Sequence, residues 1–248
     1  MNLYFNGSVI NNLNEVLETY SSKEFKSPRR STIYLIEFVK SKVFSEFIAD
    51  FNISINSSDI HFEYKVPVAR GRGNPSYSDL MIVDKTSSIA IAIEAKYLEP
   101  KYETCSKWNS STNKDTILNG WLDLINKKTG TNVKIKDVDN FTYQMIHRLS
   151  SACSLANLNP EIVYLYFGNN SRMEAYYKEQ LNELSKLFNN IKISYYKIYI
   201  PKTSVLIRLE EQWNKGVRDL SQQVKTGLIQ NTLFDSENIE LDKNKYGN

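Results

Sequence analysis

The segment that most restricts the fold is Ile89-Ala90-Ile91-Ala92-Ile93-Glu94-Ala95-Lys96. Side chains alternate faces along a strand, so the isoleucines load one side and Ala90, Ala92, Glu94 and Lys96 share the other. Neither face is polar until the last residues, so such a strand needs cover on both sides, which helices supply in α/β folds. Asp84-Lys85-Thr86-Ser87-Ser88 is a turn composition that joins this strand to another at about 77–84. Gly71-Arg72-Gly73-Asn74-Pro75 separates that one from a third, at about 61–68. Asp79 lies 15 residues before Glu94, on the strand that the tight turn lays alongside. Two carboxylates and a lysine then converge at one end of an apolar sheet.

Helical periodicity surrounds these strands. Val9, Ile10, Leu13, Val16, Leu17 and Tyr20 predict a short helix, and Ile36, Val39, Val43 and Phe47 a longer one over about 32–50. Downstream, helices are expected at about 114–127, 140–157, 172–188 and 204–224, and strands at about 162–167 and 191–200. Strands that first meander and then alternate with helices predict an α/β fold, a mixed central β-sheet flanked by helices. The division expected is an N-terminal helical extension at 1–30, a core at 31–202, a C-terminal helix at 203–234 and a flexible tail at 235–248.

Composition removes several classes. With 41% hydrophobic residues and 31 basic against 28 acidic side chains, the chain has a net charge of only +3, so wholesale disorder is excluded. Two cysteines, Cys105 and Cys153, exclude a disulfide scaffold and a zinc ribbon. No apolar run approaches the ~20 residues of a membrane span, and the N-terminus lacks a signal peptide. A cytoplasmic protein with no membrane association is the expectation.

Buried charges must pair or bind metal. Carboxylate oxygens suit Mg²⁺ with retained waters, and a nearby ammonium can stabilise developing phosphate charge. Glu-x-Lys also occurs at Glu24–Lys26, Glu63–Lys65 and Glu99–Lys101. Glu63–Lys65 is the serious rival, being in a strand-like run. Only Glu94–Lys96 both follows an apolar strand and has an acid on a preceding strand. Arg70 and Arg72 flank Gly71 in the loop leading toward Asp79, where loop arginines are expected to contact phosphate.

With a helix, three strands carrying Asp79 on the second and Glu94-Ala95-Lys96 on the third, then helix and strand, residues 33–167 resemble the PD-(D/E)XK nuclease superfamily. The resemblance implies a restriction-endonuclease-like core that hydrolyses DNA phosphodiesters with Mg²⁺ and leaves 5′-phosphates. It gives Asp79 and Glu94 as metal-binding acids, the backbone carbonyl of Ala95 as a further metal ligand, and Lys96 as the catalytic lysine. Ser78, not proline, precedes the acid. An acid on the preceding helix is matched best by Glu37, with Glu46 second, and a glutamine-bearing helix by Gln144. Arg148, one helical turn from Gln144, is expected at the site or on a phosphate. His147 is expected to be an ordinary, partly buried histidine. Restriction, in the manner of a restriction–modification system, or another form of genome defence is the expected role, with a homodimer cutting two strands. Rival readings are a repair or recombination nuclease on branched or single-stranded DNA, and a non-catalytic nucleic-acid-binding protein with the same fold.

Overall fold

A computed structural model describes residues 1–188 and 190–246. The chain opens with the hairpin β1 (Asn2–Phe5) and β2 (Ser8–Ile10), followed by α1 (Leu13–Thr19), α2 (Ser31–Lys40) and α3 (Lys42–Ala49). The meander is β3 (Asp59–Val66), β4 (Ser76–Asp84) and β5 (Ile89–Lys96). Then come α4 (Cys105–Trp108), α5 (Thr112–Thr129), α6 (Ile135–Val138), α7 (Tyr143–Cys153) and β6 (Asn159–Tyr166). The chain continues through α8 (Ser171–Leu187), β7 (Lys192–Tyr199), α9 (Ser204–Asn214), α10 (Ser221–Ile229) and β8 (Glu240–Tyr246).

Among the described residues, eight strands form one sheet in the order β2-β1-β3-β4-β5-β6-β7-β8. The meander pairs antiparallel, whereas β6 runs parallel to β5 and β7 parallel to β6. The sheet is therefore mixed, with helices on both faces as the alternating run requires. On one face Ile91, Ile93 and Ala95 join Ile60, Phe62, Leu80 and Ile82 beneath α2 and α3. On the other, Ala90 and Ala92 meet Ala152 of α7, and Trp121, Leu149 and Leu181 continue that layer over β6 and β7. Methyl side chains let α7 sit close to β5, and this is what brings its N-terminal turns over Glu94.

Several boundaries differ from the sequence expectation, each for a local reason. Asn6 and Gly7, with φ of 46° and 85°, form a two-residue hairpin turn, so Val9 and Ile10 belong to a strand and the short helix expected from Val9 to Tyr20 is confined to Leu13–Thr19. The hairpin joins the sheet by parallel pairing of β1 with β3, so residues 1–30 are no separate extension. Ser41 is extended, with its hydroxyl on the carbonyl of Phe38 at 2.7 Å, and splits the 32–50 helix into α2 and α3. Gly216, at φ 100°, divides the C-terminal helix. The expected tail pairs instead as β8 along β7, from Tyr199↔Glu240 to Ile193↔Tyr246; its last residues, 247 and 248, lie outside the described residues.

Candidate active site

The pairing of β4 with β5 ends at Leu80↔Ile93, one step before Asp79 would face Glu94. There the strands part. The Asp79 carboxylate accepts a hydrogen bond from the backbone N–H of Ala95 at 2.7 Å, taking the place of a ladder carbonyl. The gap opens into a cleft of about 820 Å³ lined by Asp79, Glu94, Ala95, Lys96, Gln144 and Arg148, so the sequence-predicted acids, lysine and glutamine are brought together.

Glu94 is the most heavily engaged group. One oxygen accepts from Lys96 Nζ at 2.5 Å and from Gln144 Nε2 at 2.6 Å, and the other accepts from Arg148 Nε. Burial opposes ionisation of Glu94, but Arg148 and Lys96 outweigh it and hold the carboxyl below its ordinary range. Burial likewise works against the charge on Lys96, yet Glu94 and Asp79 keep the ammonium protonated and its pKa raised.

Arg148 is only 6% exposed, and of the two expected places, the site or a phosphate, it takes the first. Beyond Glu94, its Nη1 donates to Ser76 Oγ at 3.0 Å and lies 3.3 Å from Nδ1 of His147. Ser76 Oγ is also 2.8 Å from that nitrogen. An arginine can only donate, so Nδ1 acts as the acceptor and the neutral ring carries its proton on Nε2. Burial, with Arg148 and Lys96 adding to it, pushes the His147 pKa well below the ordinary value.

Asp79 lacks such cover. Burial and then the charge of Glu94 raise its carboxyl well above the ordinary range, despite Arg148 and Lys96. Glu63, on β3, also lines the cleft, and the rivalry weighed in the sequence did not place it there. The pairs Phe62↔Leu80 and Tyr64↔Ser78 bracket it, so Glu63 stands opposite Asp79. Its φ is 51°, unusual for a residue with a Cβ. Phe62 packs in one layer and Val66 in the other, so the face alternation reverses at this residue. Burial pushes the Glu63 carboxyl up to about 7, with Arg148 opposing. The signal available in the sequence was the register itself, because strands joined through the Gly71–Pro75 loop can align residues 63 and 79.

The remaining candidates lie apart. Glu37 is buried under α2, where its carboxylate accepts from Ser236 Oγ and stands 3.6 Å from Lys40, outside the cleft lining. Its apolar neighbours marked it as inward-facing, but the inward face of α2 points at the opposite side of the sheet. Glu46 is exposed on α3. Arg70 pairs with Asp123 at 2.7 Å on the surface, which removes it from the main cleft. Arg72 lines an adjoining pocket with Trp108, Tyr143 and His147, its backbone held by Asn113. On the cleft wall Trp108 stacks on Tyr143, with centroids 3.6 Å apart and rings 7° from parallel.

The donor chemistry fits a hard divalent cation. Among the described residues no three acidic, histidine or cysteine side chains are gathered closely enough to cage an ion. Mg²⁺ does not need a cage, since it keeps several waters and takes one or two carboxylates. Asp79 is a desolvated carboxyl without an ion-pair partner among the described residues, and Gln144 Oε1 is buried with no hydrogen-bond partner. A cation beside them would answer both.

Fold and site thus define a mixed α/β protein with a buried carboxylate–lysine–arginine centre at the floor of a cleft. More particularly, residues 9–216 match the family described as a domain of unknown function, DUF6946, and the chain belongs to that family. No curated protein and no solved structure matches it.

Proposed function

We propose that the chain is a Mg²⁺-dependent DNA endonuclease of the PD-(D/E)XK kind that leaves 5′-phosphate ends, with a role in restriction or another form of genome defence. The observation that carries this reading is the meeting of Asp79 on β4 with Glu94 and Lys96 on β5, where the strands part beneath an open cleft. Asp79 would hold the ion, with Glu94 and the backbone carbonyl of Ala95 as the companions that the superfamily resemblance implies. When bound, Mg²⁺ supplies charge neutralisation at the phosphate and lowers the pKa of a bound water. Lys96, kept protonated by Glu94, presents positive charge where phosphate charge develops. Gln144 and Arg148 fix Glu94, and through it the position of Lys96. Arg30, Lys101 and Arg72 lie along the cleft and its adjoining pocket, where backbone phosphates would pass.

Digestion of plasmid, linear and single-stranded DNA with Mg²⁺ or EDTA, comparing wild type with Lys96→Ala, tests the proposal. The expected outcome is Mg²⁺-dependent cleavage by wild type that Lys96→Ala lowers at least 100-fold; undiminished cleavage by the variant rejects the site. Adding junction and flap substrates separates restriction from repair. Glu94 already accepts from three side chains, and this favours a second reading, a non-catalytic nucleic-acid-binding protein. Mg²⁺-independent binding of DNA without cleavage of any substrate would select it. If two copies act on two strands, light scattering on the DNA complex gives the mass of a dimer.

A further inference from the structure

Glu63 and Asp79 form an unusual pair. The register of β3 on β4 sets them opposite, both line the cleft, and neither has a salt-bridge partner among the described residues. Glu94, by contrast, is bonded to Lys96, Gln144 and Arg148, two cations and an amide against one carboxylate. Freeing a Glu94 oxygen for a metal would break hydrogen bonds of buried, charged donors, a costly exchange. Freeing Glu63 or Asp79 breaks no ion pair: Glu63 gives up the Tyr20 hydroxyl beside it, and Asp79 keeps its bond from Ala95 on one oxygen while the other has no donor among the described residues.

A second observation points to a ligand in the same place. Gln144 is 4% exposed and lines this cleft; its Nε2 is spent on Glu94, and its Oε1 has no partner among the described residues. A buried amide oxygen without a donor carries a desolvation cost unless a water or cation meets it.

We propose that Glu63 and Asp79 are the carboxylate pair that holds the divalent cation, and that Glu94 is the fixed anion that positions Lys96 and Arg148. The assignment rests on the nuclease reading for its purpose, and it replaces Glu94 by Glu63 as the partner of Asp79. Gln144 then orients Glu94 through its amide nitrogen and turns its oxygen toward the ion or an ion-bound water. The positive φ of Glu63 has a use in this arrangement: the reversed alternation at that residue accompanies its placement on the cleft.

Titration calorimetry of the full chain with Mn²⁺, without nucleic acid, tests the pair directly. Glu63→Gln and Asp79→Asn are each expected to weaken Mn²⁺ binding at least tenfold, whereas Glu37→Gln, outside the cleft, leaves it unchanged. Wild-type affinity in Glu63→Gln overturns the assignment, as does a wild type that takes up no Mn²⁺. Thermal melting with and without Mn²⁺ gives a second readout: the cation is expected to raise the wild-type melting temperature and to leave that of Glu63→Gln nearly unmoved. Should Glu63→Gln fail to fold, Glu63→Asp keeps the charge but shortens its reach, and it must also lose affinity. Binding that depends on Glu63 without cleavage of any nucleic acid keeps the cation pair and ends the nuclease reading. Cleavage with binding indifferent to Glu63 does the reverse.

Discussion

Glu94 illustrates how one buried carboxylate can set the energetics of its surroundings. Removing it leaves Lys96 and Arg148, 5% and 6% exposed, without their counter-ion. Glu94→Ala is therefore expected to lower stability by about 3–5 kcal/mol in urea denaturation, the typical cost of an orphaned buried charge. Glu63 behaves in the opposite way in metal-free protein. Its carboxyl sits near 7 when folded against an ordinary 4.5, so between those values the native state binds the extra proton. Stability from this group is complete below about pH 4.5 and is lost as pH rises through about 7. With EDTA present at pH 8, Glu63→Gln is expected to stabilise the protein by about 2–3 kcal/mol, and at pH 4 to change little. A variant equally stable or weaker at pH 8 contradicts the unpaired-acid description. The same substitution would then gain stability while losing cation affinity, a common exchange at functional sites.

Among the elements, α7 and β5 decide the geometry of the site together. Ala90 and Ala92 are fully buried against Ala152, leaving no room for a larger side chain. Ala92→Leu is expected to cost about 1–3 kcal/mol by overpacking and to push α7 outward. Because Gln144 and Arg148 ride on α7, that variant should also lose cleavage beyond what its melting temperature explains; full activity per folded molecule would refute the coupling. The alternation of residues 89–96 made β5, its two-sided burial and the faces of Glu94 and Lys96 legible in the sequence. So did the meander, since turn compositions bounded each strand. What stayed hidden depended on non-local contacts. Arg148 was left between the site and a phosphate, because helical periodicity cannot say that a buried anion awaits it. Glu63 was passed over because an acid on β3 acquires meaning only from its register with β4. The hairpin at Asn6-Gly7 was written locally, but the apolar spacing around it suited a helix equally well.

For the molecule as a whole, the sheet extends beyond the meander at both ends, with β2 at one edge and β8 at the other. The segment leading into β8 carries Ser236, which bonds the buried Glu37, and β8 itself covers the open side of β7. Truncation after residue 234 is expected to bare that edge, lower the melting temperature by several degrees and promote association, as exposed strand edges do. A truncated chain that melts like the parent and stays monodisperse argues against that role. Glu37 then reads as the anchor of the C-terminal segment. No helix among the described residues is long and apolar enough to cross a membrane. Cys105, fully buried, opens the short α4 that Trp108 ends, and Cys153 closes α7. Burial pushes both thiols up to about 12, so neither reacts while the wall stands. The protein thereby carries two native chemical clocks: the rate at which a thiol reagent reaches Cys105 measures how often the cleft wall breathes, and Cys153 does the same for the far end of α7.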